Sequence, residues 1–393
     1  MEERYIKAID PDKWVRPAGW LQMPTITSSQ NKLAFLFAVY ADEENCMTIS
    51  YGSTVCNYLI DWGDGTTLSV INSNTVREKR YDYGSISSIV LQDDFGINYK
   101  QVIITVTLNS GNTAIWSINP VVVRSGKSQI LESVISHINS VSFIARPQTM
   151  MESLKIVKLV PIGTVNNHFS NLIALRNFEG FENIDTTSTT TSGSVFSSMG
   201  PVWQALNFTW NSGNAGQSTI LSGCRIKKFG NMTFNGFGGL SSAMTPNPSL
   251  KEIGTLNLGN HNLLGSMLVN NFNIQKIGTI TANGSALNIT AMFQNCFSLQ
   301  EIVFADCANV TTIAATTFTS CFALRRLVLP GITQPVSITN ACMQQTALVE
   351  LFTSLGTPGV LTNLTITGNP GIPDLTAADY LIATSKNWSV IIV

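Results

Sequence analysis

The chain has 393 residues, of which 23 are Lys or Arg and 24 are Asp or Glu, so its formal charge is −1. That balance gives no sign of a nucleic-acid partner or an anionic membrane surface and excludes a strongly basic chain. Charged residues make up 12% of the chain, about half the usual share; Ser, Thr, Asn and Gly supply the remaining polarity. With Ile, Leu, Val and Phe spread throughout, this excludes a disordered chain and fits a β-rich protein with a neutral polar surface.

The longest apolar runs, "KLAFLFAVYA" and "WSVIIV", are strand-length and too short for membrane insertion as helices. The opening "MEERYIKAIDPDKW" is charged and lacks the apolar segment of a secretory signal, so folding in a reducing cytosol is expected. Seven cysteines (46, 56, 224, 296, 307, 321 and 342) form no CxxC pair. The odd count and the spacing argue against a zinc site or a redox motif, and buried free thiols are expected.

Residues 1–23 read as an irregular arm, because Pro11, Pro17 and Pro24 fix φ and remove backbone donors. Its Trp14 and Trp20 either dock on the following domain or anchor the chain to another subunit. From 24 to 125 the pattern changes to short apolar or alternating runs, such as "CNYLIDW", "TTLSVI" and "KQVIITVTLN", with turn chemistry between them. Many short strands at this spacing predict a β-sandwich of the immunoglobulin type.

Within it lies "YLIDWGDGTT". Asp61, Trp62, Gly63, Asp64 and Gly65 suit a strand-to-strand turn: the glycines permit positive φ, and the aspartates can bond backbone N–H groups two residues on. Asp61 and Asp64 are also weak candidates for a cation, but Thr66, Thr67 and Leu68 follow where a calcium loop needs further oxygen ligands and a distal Glu. "YLIDWGDGTT", then "KRYDYG" and "QVIITVTL", resembles the PKD-like β-sandwich family over roughly one hundred residues. "RYDYGS" departs from the His-x-Tyr of that family's return segment.

Residues 126–150 read as a linker. The "GKS" there lacks the leading glycine of a phosphate loop, since Val121 stands in its place.

From about 151 to 370 the chain repeats itself. Ile226, Leu250, Ile274, Leu299, Leu324 and Leu348 recur at steps of 24 or 25 residues. A second apolar residue follows three later in each unit: Phe229, Ile253, Ile277, Ile302, Leu327 and Leu351. A period of roughly 20–29 residues with an L-x-x-I/L start predicts a leucine-rich-repeat solenoid. "MFQNCFSLQEI" and "TFTSCFALRRL" carry an F-x-x-C-x-x-L pattern that resembles the BspA-like leucine-rich repeats. Cys296 and Cys321 would then stack in successive coils as small core residues.

Two residues after each first anchor stand Lys228, Glu252, Lys276, Glu301, Arg326 and Glu350, with alternating sign. If the coils stack in register, these side chains lie on neighbouring parallel strands about 5 Å apart. They would attract in register and repel when slipped by one coil. The tail, 371–393, predicts a short helix capped by Thr376 and Asp379 and then a strand, which together close the array. The expected fold class is therefore mainly β: a sandwich, a solenoid and a helix–strand cap.

His137, His168 and His261 stand in unrelated contexts. No HExxH, GxSxG or phosphate-loop motif occurs, so no catalytic residue and no cofactor is expected. As an assembly, the aromatic opening "RPAGWLQMPTI", the W-G-D-G domain, the repeats and the tail "ATSKNWSVIIV" resemble virion proteins of tailed phages. That resemblance implies a non-enzymatic structural part of the particle: a tail fibre, a tail accessory part, or a head or neck fibre. Such a part would be assembled in the host cytoplasm, anchored by its arm, and oligomeric on the particle. Its partners would be other virion proteins and a host cell-surface protein or glycan, without nucleic acid or membrane insertion. A bacterial surface adhesin and a polysaccharide depolymerase are the alternatives.

Overall fold

The computed structural model describes residues 14–41, 45–51, 57–70, 76–93, 96–109, 116–121, 130–138, 141–142, 151–160, 163–165, 169, 172, 174–185, 189–192, 196, 198–202, 206–212, 220–236 and 239–393. The protein is mainly β, with 9% helix and 37% strand, and contains a β-solenoid of about nine turns. It divides into two units: Met1–Ser188 with Ser198–Gln204, and Thr189–Ser197 with Ala205–Val393.

The first unit is organised around β1 (Lys32–Tyr40), whose sequence KLAFLFAVY is buried at every position after the first. A strand covered on both faces needs such a continuous apolar run. The others are β2 (Asn45–Tyr51), β3 (Tyr58–Asp61), β4 (Thr67–Val70), β5 (Arg77–Tyr81), β6 (Leu91–Gln92), β7 (Asn98–Leu108) and β8 (Trp116–Val121). They are followed by β9 (Ile130–Ile138), β10 (Val141–Ser142) and β11 (Ser153–Val160). One eight-stranded sheet runs from strand Asn177–Glu179 through β11, β9, β1, β7 and β3 to β4, with β6 on β7. A four-stranded sheet has the order β10, β8, β2, β5.

The segment expected to be a linker holds β9, which lies antiparallel against β1 and is buried from Ile130 to His137. Its polar residues disguised it. Glu132 is ion-paired to Arg16 at 2.8 Å, Ser136 Oγ donates to the Gln30 carbonyl at 2.7 Å, and His137 Nδ1 lies against Asn31 Oδ1. Buried polar groups satisfied by partners about a hundred positions away leave no local pattern. β11 and strand Asn177–Glu179 extend this sheet in parallel. The 24-residue step from Leu154 to Phe178 therefore lies in the first unit, and the unit boundary falls beyond 150.

The second unit carries the regular coils. Leu206–Ser212, Lys228–Gly236, Glu252–Asn257, Lys276–Ile277, Glu301–Val303 and Arg326–Val328 form one parallel sheet in chain order. Both rows of apolar anchors are buried beneath it. The glycines after the second anchor make the close approach possible. A Cβ on Gly278 would sit 1.5 Å from the Gly254 carbonyl oxygen, and one on Gly254 would sit 2.6 Å from that of Gly230. At the corners before Ile274, Leu299 and Leu324, a side chain reaches back to the preceding coil. Asn271 Nδ2 donates to the Met244 carbonyl at 3.2 Å, Cys296 Sγ to Leu268 and Cys321 Sγ to Phe293, each at 3.2 Å. Burial pushes the Cys321 thiol up to about 12 and the Cys296 thiol well above its ordinary value, so both remain neutral donors.

The sixth repeat departs from the expected strand. Residues Gln345–Ser354 form a helix, α1, which buries Leu348, Leu351 and Phe352. A three-residue spacing of apolar anchors serves a helix face as well as a coil corner. Here the sequence "TALVELFTSL" offers helix formers and no glycine. Strand Thr362–Thr365 follows, then α2 (Ala377–Thr384), whose capping box joins Thr376 and Asp379, and strand Trp388–Ile391. Trp388 is buried, and its Nε1 donates to the Gly356 carbonyl at 2.9 Å. Lys386 Nζ donates to the carbonyls of Phe352, Thr353 and Leu355 at the end of α1, where helix carbonyls lack partners and the dipole favours a cation.

Candidate functional site

The Asp61–Gly65 segment joins β3 to β4 as a closed corner. Asp61 Oδ1 accepts from Gly63 N at 2.9 Å, and Asp64 Oδ1 accepts from Thr66 N at 3.0 Å and Thr66 Oγ1 at 2.6 Å. Gly63 has φ +76°, and a Cβ there would lie 2.4 Å from the Ile103 carbonyl oxygen; only glycine fits both conditions. Trp62 is buried, and the Tyr81 hydroxyl donates to its carbonyl at 2.8 Å. Burial and the nearby carboxylates of Asp64 and Asp61 push the Tyr81 phenol above its ordinary value, so it stays a donor.

Lys79 fills the place a cation would take. Its Nζ lies 2.7 Å from Asp64 Oδ2 and 3.1 Å from Thr66 Oγ1. Burial raises the Asp64 carboxyl, but the hydrogen bonds from Lys79 and Thr66 outweigh this and hold it below the usual carboxylate range. Among the described residues no group of three or more His, Cys, Asp or Glu is placed to hold a metal ion. The corner's chemistry is that of a brace.

The described part of the arm is engaged inside its own unit. Trp20 is buried in a cluster with Met23, Ile26, Leu36, Tyr40 and Tyr99, and its Nε1 donates to the Tyr99 hydroxyl at 3.3 Å. Trp14 Nε1 donates to Glu152 Oε2 at 3.1 Å. Arg16 ties the arm down: its guanidinium bonds Glu132 and the carbonyls of Trp20 and Leu21, and stacks over the Trp20 ring at 5.7 Å. Burial raises the Glu132 carboxyl, and the Arg16 bonds pull it part of the way back. Trp20, desolvated and with internal partners, therefore belongs to the core rather than to a grip for a second subunit, and the half-buried Trp14 packs against that cluster. Residues 1–13 lie outside the described residues.

The charge row of the second unit occupies one line of the sheet. Lys228 is paired in register with Glu252, Glu252 with Lys276, Lys276 with Glu301, and Glu301 with Arg326. Lys228 meets Glu252 at 3.4 Å, and Arg326 meets Glu301 at 3.8 Å. The sixth member, Glu350, rides on α1 instead of a strand, yet it holds Arg326 in a two-pronged pair at 2.7 and 2.9 Å. Lys276, flanked by two carboxylates, closes an ion pair with neither among the described residues.

A second row was not anticipated from the sequence. Phe272, Phe297 and Phe322 follow the corner residues Asn271, Cys296 and Cys321 and are 40–51% exposed. Their rings stack with centroids 5.1 and 5.9 Å apart and planes about 20° apart. The available signal was the recurrence of "NF", "CF" and "CF" at a turn position that a polar residue would fill equally well. His137 and His261 are buried, and His168 lies outside the described residues. No known protein family, curated protein sequence or solved structure matches the chain.

Proposed function

We propose that the chain is a non-enzymatic structural protein of a tailed-phage particle, a tail fibre, tail accessory part or head or neck fibre. In this reading residues 1–13 hold it to another virion protein, and the repeat unit projects toward a host-surface protein or glycan. The supporting observation is the combination of a rigidly braced W-G-D-G domain with a long solenoid whose surface charge is sparse and largely neutralised along one row. We read the two sheets of the first unit as the faces of an immunoglobulin-like, PKD-like sandwich, and the coils as leucine-rich repeats. The anchor spacing and the Asn/Cys corner bonds support the latter. No catalytic role is assigned to any residue.

The arm's internal docking decides which deletion is informative. Deleting 1–23 would strip Trp20 and Met23 from the core, whereas deleting 1–13 leaves every described contact in place. The shorter deletion should fold as the full chain does and fail to enter particles. Incorporation at the full-length level would refute the anchoring role.

A further inference from the structure

The rows on the second unit repeat coil by coil, so each can be followed along the stack. Numbering the coils from Lys228 as the first to Glu350 as the sixth, the charge row reads plus, minus, plus, minus, plus, minus. Consider two copies face to face about a two-fold axis that lies between them and runs across the coils. With the axis between the third and fourth coils, the first coil of one copy meets the sixth of the other. Every charge then meets its opposite: Lys228 the partner's Glu350, Glu252 the partner's Arg326, and Lys276 the partner's Glu301. Two copies laid parallel in register would set like charges opposite throughout.

The aromatic row, four residues earlier in each coil, shares that centre. Pro248, Phe272, Phe297 and Phe322 occupy the second to fifth coils, and all four are exposed. The same axis sets Phe272 against the partner's Phe297 and Pro248 against the partner's Phe322. A row of exposed apolar side chains along one face is a recognised mark of an interaction surface. Between the two rows run Lys251, Gln275, Gln300 and Arg325, stacked by backbone bonds from each residue to the one before. There the glutamines meet amide to amide, and the unfavourable contact, made twice about the axis, sets Lys251 near the partner's Arg325, with Glu252 beside it. Lys276, which closes no ion pair among the described residues, lies next to the axis.

We propose that this face pairs two copies of the chain, antiparallel, through the charge row and the phenylalanine ridge. The five strands from Lys228 to Arg326 span about 19 Å at about 4.8 Å per step, with α1 beyond them; this is a small footprint, so the pair is weak in free solution and strengthened by any assembly that brings copies together. The proposal concerns the isolated full chain and is independent of the particle reading.

Sedimentation of the purified full chain over a concentration series tests it. The wild type should form dimers at low salt, weakened at least tenfold at about 0.5 M salt. Lys276→Glu creates two like-charge contacts about the axis, and so does Glu301→Lys; each variant alone should associate at least tenfold more weakly. Mixed one to one, the two variants should form a mixed dimer of wild-type strength, because each reversed charge then meets its opposite. Phe297→Ser should weaken association while leaving its salt dependence in place. Thermal melts monitor folding, and if either reversal unfolds the chain, Glu252→Lys with Arg326→Glu makes the same complementary test. A wild type that stays monomeric at low salt, or variants whose mixture does not associate, would overturn the proposal. So would binding of a glycan or a different protein on this ridge with no self-association.

Discussion

Gly278→Ala puts the closeness of the coils to the test. The new methyl carbon would lie 1.5 Å from the Gly254 carbonyl oxygen and 2.7 Å from its carbonyl carbon. Both are main-chain atoms, so no side-chain rotation relieves the clash. An ordinary contact needs about 3.4 Å, so the two coils must part locally by more than an ångström. The hydrogen bonds from Gly278 N to the Ile253 carbonyl at 2.9 Å and from Leu256 N to the Thr279 carbonyl at 3.2 Å sit at that point. Losing both, at about 1 kcal/mol each, and loosening the buried anchors beside them gives a cost of about 3–5 kcal/mol. In a stack stabilised by nearest-neighbour contacts, such a break also uncouples the coils on its two sides. Urea unfolding followed by circular dichroism should show a lower midpoint and a broadened or split transition. Gly359→Ala, where nothing lies within 4 Å of the added carbon, should shift stability by no more than about 0.5 kcal/mol. A Gly278→Ala protein that unfolds with the wild type would refute the argument from backbone contact.

Lys386→Met removes an ammonium from three carbonyls at the end of α1 and should cost about 1–3 kcal/mol, read as a lower melting temperature. Trp20→Ala should destabilise the first unit by about 3–5 kcal/mol, seen in its own unfolding transition. Arg326→Ala loses ion pairs whose side chains are 40–47% exposed, so it should cost at most about 1 kcal/mol, and the difference should vanish at high salt. Asp64 has a folded-state pKa held below its unfolded value. Its stabilisation is therefore present above the unfolded value, near 3.9, and fades as the pH falls through the folded one. The stability gap between wild type and Asp64→Asn should be steady at neutral pH and shrink on acidification; a gap that widens in acid would contradict the Lys79 brace.

What could be read from the sequence followed the range of the physics. The anchors Ile226 to Leu327 repeat within one coil length, so the solenoid was legible from spacing alone. The charge row was visible for the same reason. That its sixth member sits on a helix was not, because Leu348, Leu351 and Phe352 satisfy a helix face and a coil corner alike. β9 reads as a linker from sequence because Glu132, Ser136 and His137 find their partners in Arg16, Gln30 and Asn31, far away in the chain. The same distance left open whether Trp20 docks on its own domain, as it does on Tyr99, or reaches another subunit. The exposure of Phe272, Phe297 and Phe322 is a property of the stacked coils, and a phenylalanine in a repeat reads first as core.

Cross-linking mass spectrometry on purified tailed-phage particles assembled with this chain present tests the proposed function most directly. The chain should be present in the particles, with Lys7 and Lys13, in the segment before Trp14, linked to a different virion protein. Absence of the chain from the particles, or attachment only through the repeat unit, would contradict it.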